Sequence, residues 1–352
     1  MKFKTSLTAA VVKNSNSLYV GLGSWQYSVS SKEFEDSLML LEYLTEEKTD
    51  KQIQEFLENK GISNAIFHSL LNHKLITISE QLFHKEDSLD FKNGIYLDLV
   101  SSNPEKIMKK FKESTFVIIG CGSIGNYMSY ALSVYSPKSM IIMDGDRIEQ
   151  SNLNRQVLFS EEDIGLYKAD VIARELKKRN KSLNIHTITD FVRRENISML
   201  NAFVDKNSFG VVSGDDDVAI NVSSEYFLKN KIPFLNIGYL NDISVIGPFV
   251  IPGMTSCPFC NNTFGINGEL ESGNKAMTQI RQQYSSPSSF NNSTISCSLA
   301  MSDIVHFFEG NMEDIKSLNA RVGINSSTFE KYVLKNSKDS NCLYCSGDHN
   351  DS

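Results

Sequence analysis

Continuous apolar runs separated by amphipathic segments dominate the chain beyond residue 114. Runs of this kind are typical of strands that are buried on both faces, and the amphipathic segments have the 3.6-residue period of helices. Strands that alternate with helices predict a parallel, doubly wound sheet, so the expected fold class is α/β and Rossmann-like. The strands that we predict are 116–119, 140–143, 185–188, 209–213 and 233–239, with one or two more over 243–250. The helices that we predict among them lie within 163–180, 218–229 and 296–309, the first with Asp163 as its cap.

The first hundred residues have a different pattern, with short alternating strands followed by helices and another strand. This order predicts a winged-helix-like module. The polar stretch 79–113 that follows predicts a linker ending in a short helix. We therefore expect an N-terminal domain with its linker at 1–105 and a second domain at 106–352. The predicted elements of the module are two or three strands in 1–30, a helix at 32–46, a helix between a cap at Asp50 and Gly61, a helix after a cap at Ser63, and a strand at 75–78.

Winged helices often bind DNA, but the charge of this chain disfavours that function. The formal net charge is -7, and the first arginine of the sequence is Arg147. Nucleic-acid binding needs cations for the phosphates and usually arginine for guanine edges. We expect no nucleic-acid partner, and we interpret the module as one that holds an extended peptide against its strands.

Length and composition are those of an ordinary soluble protein. The chain has 352 residues, of which 41% are hydrophobic and 22% charged. Because no apolar run reaches the length needed to span a membrane, we expect no membrane association and a cytoplasmic location. In that compartment cysteines stay reduced, so paired cysteines indicate metal binding before disulfides.

A glycine-rich turn follows the first predicted strand of the second domain. Residues 120–125 read G-C-G-S-I-G. Gly120 allows a tight turn, Gly122 lets backbone approach a phosphate, and Gly125 lets the next helix pack on the strand. Asp144 lies about twenty residues further on, where it would contact the ribose of a bound nucleotide. Alone, this pattern fits a dinucleotide-dependent oxidoreductase as well as it fits another kind of nucleotide-binding protein.

Several charged and amide side chains favour a nucleoside triphosphate site over an oxidoreductase site. They follow the carboxyl ends of predicted strands or begin helices, which is where ligands bind in open α/β sheets. Cations together with carboxylates suit a nucleoside triphosphate with Mg²⁺ better than a hydride-transfer cofactor. Taken singly, each residue also fits a surface ion pair or a solvated turn. The set comprises Asp144, Asp146, Asn152, Arg155, Gln156, Lys168 and Asp215.

Two C-x-x-C pairs provide a second chemical signal. Cys257 and Cys260 form the first pair, and Cys342 and Cys345 form the second. Four thiolates close a tetrahedral zinc site, which predicts structural rather than catalytic zinc. Redox chemistry is the alternative for a single such pair. The remaining thiols, Cys121 and Cys297, fit either small buried residues or nucleophiles.

Taken together, these residues resemble the ThiF/MoeB and ubiquitin-activating family of adenylating enzymes. The shared order is G-C-G-S-I-G, D-G-D at 144–146, N-L-N-R-Q at 152–156, Lys168, S-G-D at 213–215, and the two C-x-x-C pairs. Segments 154–165 and 236–242 look most similar to the MccB-like branch, whose members modify ribosomal peptides to antibiotics of the microcin C or pantocin A type. The resemblance covers roughly residues 114–345.

The resemblance implies a role for each matching residue. Asp144 would hold the ribose; Asn152, Arg155 and Lys168 the triphosphate; and Asp215 would bind Mg²⁺. The glycines with Asp146 and Gln156 would complete the ATP site, and the four cysteines would hold Zn²⁺. Asn291 and Asn292, at the end of a polar crossover loop, are the implied peptide contacts. The family is typically homodimeric, with an arginine before the glycine turn acting across the dimer. Here Lys85 or Lys92 would take its place.

From these roles we expect ATP-dependent modification of a short ribosomal precursor peptide. Arg155, Lys168 and Asp215 would assist activation of a peptide carboxylate by adenylation or phosphorylation, and intramolecular attack would then cyclise or dehydrate the peptide. The first alternative is adenylation of the C-terminal glycine of a ubiquitin-like sulfur carrier. The second is a non-catalytic scaffold that keeps the fold.

Overall fold

The computed structural model describes residues 1–14, 17–78, 88–213, 217–263, 280 and 283–345. Asp215, Lys85 and most of the predicted crossover loop lie outside these residues. The chain has two compact units, Met1–Lys106 and Ile107–Ser352. Among the described residues, no helix combines the length and the apolar character needed to cross a membrane.

The described part of the first unit contains two three-stranded antiparallel sheets and four helices. The sheet orders are β5-β1-β6 and β2-β3-β4. Phe3, Leu40, Ile53 and Leu70 are in the apolar core that joins helices to strands. The strands are β1 (Lys2–Thr5), β2 (Val11–Lys13), β3 (Leu18–Val20), β4 (Tyr27–Val29), β5 (Lys48–Thr49) and β6 (Ile76–Ile78). The helices are α1 (Ser31–Tyr43), α2 (Asp50–Lys60), α3 (Asn64–Asn72) and α4 (Phe91–Val100).

Most helix ends follow the sequence signals, with one correction. Helix α2 is capped by Thr49, whose side chain accepts from the Gln52 N–H, so the predicted cap Asp50 is the first helical residue. Gly61 ends this helix in the left-handed region at φ 65°, and Ser63 caps α3. The predicted linker is partly wrong, because α4 occupies residues 91–100, whereas α5 (Pro104–Glu113) is the short helix expected at its end.

In the second unit, eight strands of the described residues form one mixed sheet in the order β14-β13-β12-β11-β10-β7-β8-β9. The five strands from β11 to β9 are parallel, and β12, β13 and β14 are antiparallel to their neighbours. The bounds are β7 (Thr115–Ile119), β8 (Ser139–Met143), β9 (Ile185–Ile188), β10 (Ser208–Val212), β11 (Phe234–Leu240), β12 (Ile243–Val250), β13 (Ala320–Asn325) and β14 (Lys331–Lys335). The α/β fold class is confirmed, but the prediction of an entirely parallel sheet is wrong.

Helices pack on the central strands, which are fully buried. The apolar runs of β7, β8 and β10 are buried at every position, as expected for strands between two layers of helices. Helix α9 contacts β11, β12 and α6, whereas α8 contacts β10 and β11. The helices are α6 (Ser123–Ser133), α7 (Lys168–Arg179), α8 (Asp217–Lys229) and α9 (Phe290–Glu309).

Two helix starts differ from the prediction. Helix α9 begins at Phe290 rather than 296, because Ser289 and Asn292 form a capping box there. Helix α7 begins at Lys168, and Asp163 is not its cap. Asp163 accepts from the N–H of Ser160 and pairs with Arg174 at 2.6 Å, which fixes the preceding turn.

Candidate functional site

The glycine turn joins β7 to α6 and leaves an open space at the helix start. Gly120 is in the left-handed region at φ 90°, and a Cβ on Gly125 would collide with the Gly120 carbonyl oxygen. A Cβ on Gly122 would meet nothing within 4 Å. Gly120 and Gly125 therefore serve the fold, whereas Gly122 leaves room beside the uncapped N–H groups of α6. That space suits an anion.

Asp144 lies at the end of β8 and fixes the glycine turn. Its Oδ2 accepts from the Cys121 N–H, and its Oδ1 accepts from the Asp146 N–H at 2.6 Å. Burial raises the pKa of this carboxyl, although the two N–H groups favour its charged form. The structure thus places Asp144 beside the predicted nucleotide turn and gives it a structural role there.

Lys168 is the first residue of α7 and pairs with Asp146. Its Nζ lies 2.7 Å from Asp146 Oδ2, and the lysine is 6% exposed. The Lys168 N–H also donates to the Asp146 carbonyl at 3.0 Å. A buried ammonium group is therefore held near the carboxyl end of β8, next to a half-exposed carboxylate, where an incoming phosphate can share it.

The turn that contains Arg155 is held by its own backbone. Arg155 Nη1 donates to the Ser151 carbonyl at 2.6 Å and to Asn154 Oδ1 at 2.9 Å. The Oδ1 of buried Asn152 accepts from the Glu149 N–H at 3.0 Å, so this amide orders the turn. Arg155 Nε and Gln156 Oε1 are buried atoms that have no partner within the described ranges.

Two residues that the sequence interpretation missed connect these parts. Asn126 of α6 accepts from the Leu158 N–H at 3.1 Å, which ties the Arg155 turn to the glycine helix. Ser213, which follows β10, donates to the Gly120 carbonyl at 2.9 Å. Ser213 is the first residue of the S-G-D motif that ends in Asp215, and that motif was the available signal. The contact of Asn126 had no signal in the sequence.

The chain before α9 lies against the start of α6 and the β11–β12 turn. Ser288 and Ser293 place their Oγ atoms 3.0 and 2.7 Å from Ser123 Oγ. Asn292 is buried and donates to the Asn241 carbonyl at 3.0 Å, so its amide orders this segment. Of the two implied peptide contacts, Asn291 is the exposed one.

The two C-x-x-C pairs come together at one end of the sheet. The four Sγ atoms lie within 4.8 Å of one another, with Cys257–Cys342 at 3.6 Å and Cys260–Cys345 at 3.4 Å. A tetrahedral zinc with bonds of about 2.3 Å places its sulfurs roughly 3.8 Å apart, so the cluster fits that ion. Burial raises the pKa of the Cys257 thiol, which means that thiolates here need a cation.

Neither remaining cysteine is placed to act as a nucleophile. Cys121 and Cys297 are both buried, and burial raises the pKa of each thiol. The Cys297 Sγ donates to the Ile124 carbonyl at 3.5 Å, inside the contact between α9 and α6. Both therefore fit the interpretation as small buried residues.

Known proteins of similar structure cover nearly the whole chain. MccB of E. coli, solved with AMPCPP and MccA, superposes with a TM-score of 0.83 at 26% identity, covering 98% of this chain and 100% of MccB. PaaA superposes with a TM-score of 0.66 at 16% identity over 94% of this chain and 99% of PaaA, a likeness of fold alone.

Curated relatives match over shorter stretches. The sulfur carrier protein ThiS adenylyltransferase of Bacillus subtilis is 31% identical over 154 residues, 43% of this chain and 45% of the relative. The tRNA threonylcarbamoyladenosine dehydratase of Escherichia coli is 25% identical over 135 residues, 38% of this chain and 49% of the relative. The chain thus spans about half the length of these relatives. The ThiF family profile matches residues 96–344, which confirms the resemblance, and the chain belongs to the ThiF family.

Proposed function

We propose that this protein is an ATP-dependent enzyme that activates a carboxylate of a short ribosomal precursor peptide during peptide antibiotic biosynthesis. The observation that carries the proposal is the end-to-end similarity to MccB, which has been solved with ATP and with MccA. That similarity extends over 98% of this chain and therefore beyond the ThiF-type unit. The curated relatives match less than half of the chain.

In the proposed reaction a peptide carboxylate oxygen bonds to the α-phosphorus of ATP, and the bond from that phosphorus to pyrophosphate breaks. The carboxylate is already ionised at neutral pH, so no general base is needed. The N–H groups of α6 and the ammonium of Lys168 stabilise the phosphate charge, and Arg155 contributes its free donors. Asp144 fixes the glycine turn beside the position proposed for the ribose.

Cyclisation follows within the bound peptide. A nearby amide nitrogen or second carboxylate attacks the activated acyl carbon and AMP leaves; an attacking amide also loses its proton to solvent, whereas an ionised carboxylate has none to lose. The enzyme's contribution is to keep both groups together and to exclude water. Magnesium, for which Asp215 is the proposed ligand, supplies charge neutralisation when it is bound with the triphosphate.

Other parts of the molecule have supporting roles in this proposal. Residues 1–105 form the winged-helix-like domain that holds the leader part of the peptide, and residues 106–352 form the adenylation domain. The four cysteines hold a structural zinc, because a closed four-thiolate site has no position for substrate. The protein acts as a cytoplasmic homodimer.

A second candidate is adenylation of a ubiquitin-like sulfur carrier. The identity of 31% to the ThiS adenylyltransferase favours it. Against it, the sequence has no cysteine between residues 261 and 296, and Cys297 is buried.

ATP–pyrophosphate exchange separates these functions. The purified protein is incubated with MccA, with short peptides encoded beside its gene, with the sulfur carrier ThiS, or with tRNA that bears threonylcarbamoyladenosine. We expect exchange with a peptide and a peptide product with a mass loss of water. Exchange with ThiS or tRNA alone would refute the proposal, and no exchange with any of them would favour the scaffold.

A further inference from the structure

Strand β11 contains one polar side chain in an otherwise apolar buried run. Asn236 is 8% exposed, between Leu235 at 0% and Ile237 at 4%. Both Oδ1 and Nδ2 of Asn236 are buried, and neither has a hydrogen-bond partner among the described residues. The amide is therefore desolvated at both of its polar atoms.

This arrangement is unfavourable for the fold by itself. A buried donor or acceptor without a partner destabilises the folded state, because it has lost its hydrogen bonds to water. Asparagine is also depleted in strands, where an aliphatic side chain of the same size packs better. Asn236 gives the sheet nothing that a leucine would not, and both polar atoms of its amide are available to a bound molecule.

The position of Asn236 relates it to the nucleotide site. Asn236 pairs with Val212 in the parallel ladder of β10, and the next residue, Ser213, donates to the Gly120 carbonyl of the glycine turn. Strands lie about 4.8 Å apart, so Asn236 lies two strands, roughly 10 Å, from the strand that carries this turn. That is a reasonable distance for the acyl end of a substrate whose carboxylate reaches the α-phosphate.

The same end of β11 is covered by the segment before and within α9. Ser296 donates to the Gly238 carbonyl at 2.7 Å, and Ser286 donates to the Tyr239 hydroxyl at 2.9 Å. The pairing of β11 with β12 shifts register between Leu235 and Ile237, at Asn236 itself. The amide thus lies at an irregular point of the sheet, beneath a covering segment.

We propose that Asn236 binds the last peptide unit before the carboxylate that is activated. Its Oδ1 accepts from the N–H of that unit, and its Nδ2 donates to an oxygen of the carboxylate that follows in the same residue. A carboxylate alone would satisfy only the donor, whereas a residue with a backbone N–H and a carboxylate satisfies both atoms. This inference rests on the proposed function and adds that the enzyme recognises an amide group next to its reacting acid.

Stability provides the first test, and it requires no substrate. In Asn236→Leu the unpaired amide is replaced by an apolar side chain of similar size, so the melting temperature should stay level or rise. The matched control is Asn325→Leu, because Asn325 is also 8% exposed. It donates to Asp242 at 2.7 Å and accepts from the Ser327 N–H at 2.9 Å, so the control should melt at a lower temperature. Loss of stability in Asn236→Leu comparable to the control would overturn the inference.

Kinetics provide the second test, with the peptide that supports exchange in wild type and a matched depsipeptide. The depsipeptide has an ester oxygen in place of the last backbone N–H. Wild type should lose about tenfold in kcat/KM with the depsipeptide, because Oδ1 loses its donor. Asn236→Leu should lose about 10- to 100-fold with the peptide, should no longer distinguish the two substrates, and should keep the wild-type KM for ATP.

The two proposals can fail separately. If wild type activates only ThiS or tRNA, the proposed function fails, and the kcat/KM of Asn236→Leu on that substrate decides the inference. An unchanged value means that Asn236 does not touch substrate. If wild type activates none of these substrates, the melting temperatures of Asn236→Leu and Asn325→Leu decide the inference. The inference would also be refuted if Asn236→Leu preferred the peptide over the depsipeptide in kcat/KM as strongly as wild type does.

Discussion

Asp144 and Asp146 are two residues apart, yet the fold gives them different partners. Asp144 accepts two backbone N–H groups and fixes the glycine turn, whereas Asp146 accepts from the Lys168 ammonium. The sequence predicted both as nucleotide-site residues from their place after a strand. The sequence alone could not assign the two carboxylates different roles, because the contact from residue 121 to residue 144 depends on how two neighbouring strands align.

Substitution of Lys168 by methionine should abolish most activity and leave the fold intact. The ammonium is buried and pairs with a half-exposed carboxylate, so its loss removes charge from the phosphate site at little structural cost. We expect ATP–pyrophosphate exchange to fall by about 100-fold or more. The control Lys178→Met, on an exposed lysine of the same helix that pairs with Glu175, should retain wild-type exchange. Equal activity in the two variants would rule out the assigned role.

Asp98 of α4 should make stability depend on pH. Burial raises the pKa of this carboxyl to about 6, above its unfolded value near 4. The folded state therefore binds the proton more tightly, and this group's contribution to stability declines as the pH rises from about 4 to about 6. Asp98→Asn should melt above wild type at pH 7.5, and the difference should vanish below pH 4. Thermal melts across this pH range measure the sign of the difference in melting temperature, with a substitution of an exposed carboxylate, Glu58→Gln, as the control. An Asp98→Asn variant that melts below wild type at pH 7.5 would contradict the prediction.

At the scale of elements, local hydrophobic patterns were sufficient to predict the strands that are buried on both faces. Strands β7, β8 and β10 are apolar at nearly every position, and all three were predicted. Strand β14 is exposed at all five residues, so burial gave it no pattern to detect. The direction of β12 was missed for another reason. The two-residue turn at Asn241 and Asp242 reverses the chain, with Asn241 at φ 54°, so β12 runs antiparallel to β11 in a sheet that was expected to be parallel.

The cysteine cluster predicts that zinc is a structural component. We expect one zinc per chain by mass spectrometry of the metal content. Replacement of Cys342 and Cys345 together by serine should remove the zinc and lower the melting temperature by about 10 °C. The control Cys297→Ser should keep its zinc, because that thiol lies in the contact between α9 and α6. Full zinc content in the double variant would exclude the cluster as the metal site.

At the scale of the whole molecule, the sequence predicted more about chemistry than about organisation. The ThiF-type residues were recognisable because their spacing follows from one strand–turn–helix unit. The stretch 79–113 was interpreted as a linker that ends in a short helix, and α5 is that helix, but α4 also lies in the stretch. Gly94 in the middle of α4 weakens its helical signal, and its burial with Leu97 depends on packing that the local pattern does not contain.

The homodimer in our proposal predicts a mass in solution of twice that of the chain. Light scattering after size-exclusion chromatography measures that mass directly, over a tenfold range of protein concentration and with or without ATP. The active fraction should be the dimer, since the sequence has no arginine before Arg147 and the proposal puts Lys85 or Lys92 of the second copy in place of the arginine that the family supplies across the dimer. Full exchange activity in a strictly monomeric fraction would contradict the proposal.

The joining of Cys257 and Cys260 to Cys342 and Cys345 has a consequence for biosynthesis. The ribosome produces the first pair well before the second, so the metal site stays half built while the central strands are already made. A polypeptide terminated before residue 342 carries only two of the four thiols and cannot retain the ion. In our proposal, metal loading therefore requires residues 342 and 345, so zinc binding would distinguish chains that contain them from truncated ones.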